Sequence, residues 1–158
     1  MIMTTLSRTA LDAVTGAVVG AAATVPMIGL MLLAQKSGLM GELPPRRITD
    51  EALEAVDADP SETTRTGLTA LTHLGFGAAA GVPFAVAHRW LPTRIPRERL
   101  GVVYAMGIWA SAYLGWVPAL GIMPSAERDR PDRPASMIAA HVVYGAALGA
   151  GMRLLRRR

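Results

Sequence analysis

Four stretches of this chain carry no Asp, Glu, Lys or Arg: Ala13 to Gln35, Thr66 to Ala87, Leu100 to Ala126 and Pro134 to Met152. The segments between them are dense in charge and proline. A helix needs about 20 apolar residues to cross the hydrocarbon of a bilayer, and each run has about that length. Within hydrocarbon a helix satisfies all its backbone groups internally. The pattern therefore predicts an all-α, integral membrane four-helix bundle forming a single domain over 1–158, with spans at about 10–36, 64–89, 100–122 and 135–153. The first apolar run is longer than the 7–15 residues of a signal-peptide core and no A-x-A site follows it, so it is read as a retained span.

The longest polar segment, 37–63, has a pattern of its own. Pro44 and Pro45 predict an extended turn. Thr49, Asp50 and Glu51 then predict a helix start, with acids near the positive end of the dipole. Leu53 and Val56 fall opposite Glu54 and Asp57, which makes this a short amphipathic helix on the outer surface. Asp59-Pro60-Ser61-Glu62 predicts the opening of the second span, with proline at its first helical position. Pro26, Pro83 and Pro118 interrupt three spans and predict kinks.

Charge sets the expected orientation. The segment between spans two and three carries Arg89, Arg94, Arg97 and Arg99 against Glu98, and the chain ends in RLLRRR. Lys and Arg concentrate on the cytoplasmic side of short loops. Both clusters therefore belong there, and four crossings put the N-terminus with them. The expectation is a multi-pass inner-membrane protein with both termini cytoplasmic.

Composition agrees with the pattern: 51% of residues are hydrophobic and only 18% are charged, against about 25% in soluble domains. The net charge of +4 does not form an interleaved basic and aromatic face, which argues against nucleic acid. The expected partners are the lipid bilayer and either a second copy or another membrane protein. Cysteine is absent, which removes disulfides and thiolate chemistry. Single lysine usage and abundant Arg and Ala suggest a high-GC bacterial source.

The candidate chemistry lies in a repeat. THLGFGAAAG at 72–81 returns as AHVVYGAALG at 140–149, and each copy holds one of the three histidines. On a helix, positions i, i+3, i+4 and i+8 share a broad face. His73, Phe76, Gly77 and Gly81 thus point one way, as do His141, Tyr144, Gly145 and Gly149. The small-xxx-small glycines are helix-packing positions, with Phe76 and Tyr144 as the aromatic neighbours. Because even-numbered spans run in one direction, both imidazoles fall at similar depth in the outer half of the membrane. The chain reads as two helix hairpins in a weak parallel repeat. Spans one and three share only a Val-Pro, at 25–26 and 117–118.

Three readings of His73 and His141 stay open. They are hydrogen-bonding glue between helices, a small-solute or proton-linked transport site, or axial ligands of a b-type haem. No cofactor is otherwise predicted, and no metal site. No carboxylate lies inside a span, which disfavours a di-metal centre. His88 beside Arg89 and Trp90 reads as an interface anchor. Trp109, Tyr113 and Trp116 read as a packing or lipid-facing stripe, and Tyr113 requires a hydroxyl partner if buried. There is no H-E-x-x-H, G-x-S-x-G, P-loop or dinucleotide fingerprint. No catalytic residue is predicted, and an enzyme is the less favoured class. A structural or assembly role, with small-residue faces meeting another membrane protein, is the main alternative to transport.

The apolar first span, the GLMGELPPRRIT stretch and H-x-x-[FY]-G-A-A in spans two and four resemble the YagU-like group of small bacterial inner-membrane proteins. That resemblance implies a polytopic inner-membrane protein without an established reaction, with a suggested link to acid tolerance.

Overall fold

The computed structural model describes residues 2–87, 90 and 94–155, with side chains from residue 7. His88, Arg89 and the three arginines at 156–158 lie outside the described residues, and with them the expected anchor and part of each basic cluster. The elements are α1 (Ile2–Lys36), α2 (Pro44–Glu54), α3 (Glu62–Ala87), α4 (Arg97–Ser111), a π-helical turn (Ala112–Trp116), the short α5 (Val117–Ala119) and α6 (Asp132–Leu155). Four segments are long and apolar enough to cross a membrane: Ser7–Lys36, Glu62–Ala87, Arg97–Ala119 and Asp132–Leu155. They form a membrane helical bundle. Leu11, Val14, Val18, Leu33, Leu71, Val103 and Leu120 all point outward with more than 60% exposure. A water-soluble surface rarely carries so much contiguous apolar area; lipid covers it at no cost.

The bundle is built from two tight hairpins. In the first, α1 meets α3 through glycine. A Cβ built on Gly16 would lie 2.5 Å from the Gly81 carbonyl oxygen, and one on Gly20 would overlap the Gly77 carbonyl. In the second, a Cβ on Gly145 would run into the Gly101 carbonyl, and one on Gly149 into that of Arg97. The hairpins join along α1 and α6, where Val19 sits over Gly151. The core between them is large and flexible: Met27, Met31, Phe84, Tyr144, Leu148 and Met152 are all buried. On the other flank, α3 and α4 are linked by side chains. The Tyr104 hydroxyl donates to the Ala80 carbonyl at 2.6 Å, and the Phe84 and Tyr104 rings lie 5.4 Å apart.

The segment between spans one and two departs from its expected form. Pro44 and Pro45 do not make an extended turn; they open α2. The first helical positions have no intrahelical use for an N–H, so proline fits there. The helix ends at Glu54, and Val56 beyond it is 70% exposed, so the expected apolar side stops at Leu53. Likewise Pro60 precedes α3. The Ser61 hydroxyl accepts the Thr64 N–H at 3.3 Å and opens that helix instead.

Arginines tie α2 to the rest. Arg46 pairs with Asp50 at 2.9 Å and with Glu62 at 2.7 Å, and Arg65 reaches Asp50 and Asp59. Partial burial alone would raise the Asp50 carboxyl above the usual range. Hydrogen bonds from Arg65 and Arg46 outweigh that and hold it below. Arg47 donates to the Ile122 carbonyl at 3.0 Å, across to the loop after α5. Arg130 and Arg133 donate to the Gly38 and Met40 carbonyls, at 2.7 and 2.9 Å. One end of the bundle is thereby capped by α2 and laced loops. At the opposite end Arg153 pairs with Glu98 at 2.9 Å.

The glycine contacts predict a clean contrast. Gly81→Ala and Gly145→Ala put a methyl against backbone that cannot move aside, and overpacking of this kind costs about 1–3 kcal/mol. Gly75 and Gly107 have nothing within 4 Å of an added Cβ, and alanine there gains up to about 1 kcal/mol of helix propensity. Thermal unfolding in detergent should show the first pair below the parent and the second pair level with it or above.

Candidate functional site

A cavity of about 260 Å³ opens between the two hairpins beneath α2. Thr24, Met27 and Met31 of α1 form its back wall, and the other helices complete it. From α3 come Thr72, His73, Phe76, Gly77 and Ala80. The α4–α5 segment supplies Ile108, Trp109, Ala112, Tyr113, Trp116 and Val117. Met137, His141 and Tyr144 of α6 form a further wall, and Pro44, Pro45 and Ile48 of α2 form the roof. Among the described residues lining it, none is Asp, Glu, Lys or Arg.

The third span is not a continuous α-helix at this level. The chain widens into a π-helical turn over Ala112–Trp116, where Gly115 adopts φ −115° and ψ −107°, outside helical values. Proline explains the break: Pro118 cannot donate to the carbonyl one turn earlier, and its ring crowds that carbonyl. Turns of this kind recur at functional sites. The π turn carries Tyr113 inward, to 2% exposure, and leaves Trp116 39% exposed at the edge of the cavity. The aromatic stripe therefore divides between packing and surface.

Both decamer histidines line this cavity. The Tyr144 hydroxyl donates to the Gly77 carbonyl at 2.9 Å, which sets those two residues level. His141 lies three residues toward the α2 end from Tyr144, and His73 four residues toward the same end from Gly77. The two rings thus stand about one turn above that bond, in the lining of the same cavity. His141 is 8% exposed, and its Nδ1 lies 2.8 Å from the Met137 carbonyl. A carbonyl can only accept, so Nδ1 carries the hydrogen and Nε2 of the neutral ring is left as an acceptor. His73 is half-buried and has no hydrogen-bond partner among the described residues.

The remaining decamer residues divide their tasks. Gly81, Gly145 and Gly149 make the close backbone contacts within hairpins, and Gly77 does so while also lining the cavity. Tyr144 is buried and bonded, whereas Phe76 is 51% exposed at the cavity edge.

One group behind the wall, bonded to the lining residue Tyr113, was not legible from its loop sequence. Asp129, with a side chain only 5% exposed, pairs with Arg133 at 3.1 Å and accepts from the Tyr113 hydroxyl at 2.5 Å. It is the partner that Tyr113 required. The i, i+4 spacing of Asp129 and Arg133 is the signal that was available. Among the described residues no cluster of His, Asp and Glu could hold a metal ion.

The chain belongs to a protein family of unknown function, DUF6789, whose model matches residues 10–158. No curated protein and no solved structure matches it. Membership places the chain in a family without assigning it an activity.

Asp129 should be more sensitive to substitution than the Tyr113 it supports. Asp129→Ala leaves Arg133, 16% exposed, with only the Met40 carbonyl; breaking a fully buried pair costs about 3–5 kcal/mol, and this part-buried one should approach the lower end. Tyr113→Phe removes one hydrogen bond and should cost about 1 kcal/mol. Thermal stability in detergent should fall in that order; a larger loss for Tyr113→Phe would mean that Arg133 relaxes to solvent.

Proposed function

We propose that this family member holds a small, largely apolar molecule in the cavity at His73 and His141. The protein is read as a multi-pass inner-membrane protein with both termini cytoplasmic and α2 on the outer side. The observation that carries the proposal is the shared cavity. An uncharged, mainly apolar pocket with a few polar groups is what a binding site for such a molecule requires. The decamer glycines Gly77, Gly81, Gly145 and Gly149, by contrast, are taken up by contacts within the chain, which favours a binding site over an assembly role for the repeat.

Proton-linked or small-solute transport remains a second reading on one observation. Beneath the cavity, α3 and α4 are held by the Tyr104–Ala80 hydrogen bond and the Tyr104–Phe84 ring contact rather than by close backbone packing. Separation of the hairpins at that point would open a way past Leu148 and Met152. A b-type haem is a weaker fit, because drug-sized ligands already fill pockets of about 300–1,000 Å³ and a macrocycle needs more room than about 260 Å³.

The chain purified in mild detergent and extracted with organic solvent should yield a bound small molecule by mass spectrometry. Ala112→Phe, which fills the cavity, should lose it while keeping its helical spectrum. Equal recovery from both proteins would refute the site, and a Soret band in the purified protein would replace the proposal with haem. Reporter fusions after Arg99 and Arg158 should report the cytoplasm, and one at Asp57 the outer side. A cytoplasmic Asp57 would reverse the orientation.

A further inference from the structure

The polar groups of the cavity restrict what can bind there, and the restriction goes beyond size and apolarity. Most of the lining's donors are already committed. Thr24 donates to the Gly20 carbonyl at 2.9 Å, Thr72 to the Leu68 carbonyl at 2.8 Å, Tyr144 to Gly77 and Tyr113 to Asp129. The indole nitrogen of Trp109 has no partner, but it is fully buried and does not open into the cavity. What remains are the indole N–H of Trp116, 39% exposed at the cavity edge, and the two imidazoles farther inside. Trp109 Nε1 is the sole fully buried side-chain nitrogen or oxygen without a partner among the described residues. The unbonded nitrogens of His73 and His141 are therefore reachable from the open volume.

Their chemistry is complementary. His141 offers an acceptor at Nε2, because Met137 fixes the hydrogen on Nδ1. His73 is bound to nothing, so in either tautomer it offers one N–H and one lone pair. A group that donates to His141 and accepts from His73 satisfies both. A hydroxyl does this with one oxygen. A ketone or quinone carbonyl can use only the donor. An ammonium would bring a positive charge into a lining without a carboxylate, and a carboxylate would meet no Arg or Lys. Charge without a partner is expensive at this depth.

The route of entry also has a structural mark. Phe76 and Trp116 line the cavity from α3 and the π turn and are 51% and 39% exposed. They stand on the flank where α3 and α4 lack close backbone packing, and that flank belongs to the apolar surface that lipid covers. α2 roofs the polar end.

We infer that the ligand is a neutral hydroxyl compound, a phenol or alcohol on a hydrocarbon body. It enters sideways from the lipid between α3 and the π turn and sets its hydroxyl between His73 and His141. This inference rests on the cavity being a binding site, as proposed above.

Three probes of one shape test it: 4-octylphenol, its methyl ether, and octylbenzene. The full chain in lipid nanodiscs is titrated with each at known mole fraction in the membrane, and binding is read from the shift in unfolding temperature. The phenol should bind about tenfold tighter than octylbenzene, the ratio expected when a buried polar group is paired instead of left unpaired. The ether, which only accepts, should fall between them. In His141→Phe the phenol should lose its advantage over the ether; in His73→Phe the ether should lose its advantage over octylbenzene. Equal binding of the three probes by the native chain overturns the hydroxyl assignment and leaves the cavity reading standing. No shift with any probe overturns both, and the native series decides this even if neither variant folds.

Discussion

The contact on which the rest depends is backbone against backbone at glycine. In lipid, helices gain nothing by burying apolar surface from one another, so association rests on close packing. Here the carbonyl of one helix occupies the place where a side chain of the next would begin, at Gly16 and Gly20 against Gly81 and Gly77, and at Gly101 against Gly145. Each hairpin is consequently as narrow as two helices allow. Between the hairpins the residues are large: methionines, Phe84, Tyr104, Tyr144. Tight pairs joined by bulky residues leave a gap along the flank where α3 and α4 do not pack closely, and the cavity is that gap.

The cap exists because a gap of this kind must be closed at its wet end. α2 is too short and polar to hold itself in place by burial, and exposed ion pairs are each worth little. Its arginines act together instead. Arg46 and Arg65 grip Asp50 from two helices, and Arg47 binds a carbonyl across the bundle. Arg130 and Arg133 return the favour from the other hairpin to the Gly38–Met40 turn. The same Arg133 holds Asp129 against Tyr113. The roof and the wall of the cavity thus share one polar network, which runs from the loops at that end to the π turn.

Much of this was legible because uncharged runs of span length and a repeated decamer are long-range statistical features that local context cannot disguise. The spans, the hairpin pairing and the packing use of Gly77, Gly81, Gly145 and Gly149 follow from them. What escaped depends on pairs of residues far apart in the chain. The repeat extends into the first helices, but by contact rather than by residue type: Gly77 meets Gly20 as Gly145 meets Gly101, while Gly81 meets Gly16 as Gly149 meets Arg97. The shared Val-Pro pointed to a different alignment. Pro44 and Pro45 were misread because proline's two roles, breaking a helix and starting one, look identical in sequence. Asp129 sits in the loop between spans three and four, and only the fold brings it to Tyr113.

The paired imidazoles carry their meaning from this setting. A histidine pair in an aqueous cleft, with carboxylates nearby, would invite protonation and metal binding. Behind the lining residue Tyr113, the Asp129 carboxylate is already shared between Arg133 and Tyr113. A proton resting on His73 or His141 would stand without a counter-charge in the lining. Neutral rings are therefore the economical state, and neutral rings recognise by hydrogen bonds. The Met137 carbonyl takes the one choice left to His141, its tautomer, and fixes it. His73, half-buried and unbonded, keeps the freedom to complement whatever His141 does not provide. An acceptor held rigid beside a group that can turn is an arrangement suited to reading a single small polar head, and unsuited to holding an ion.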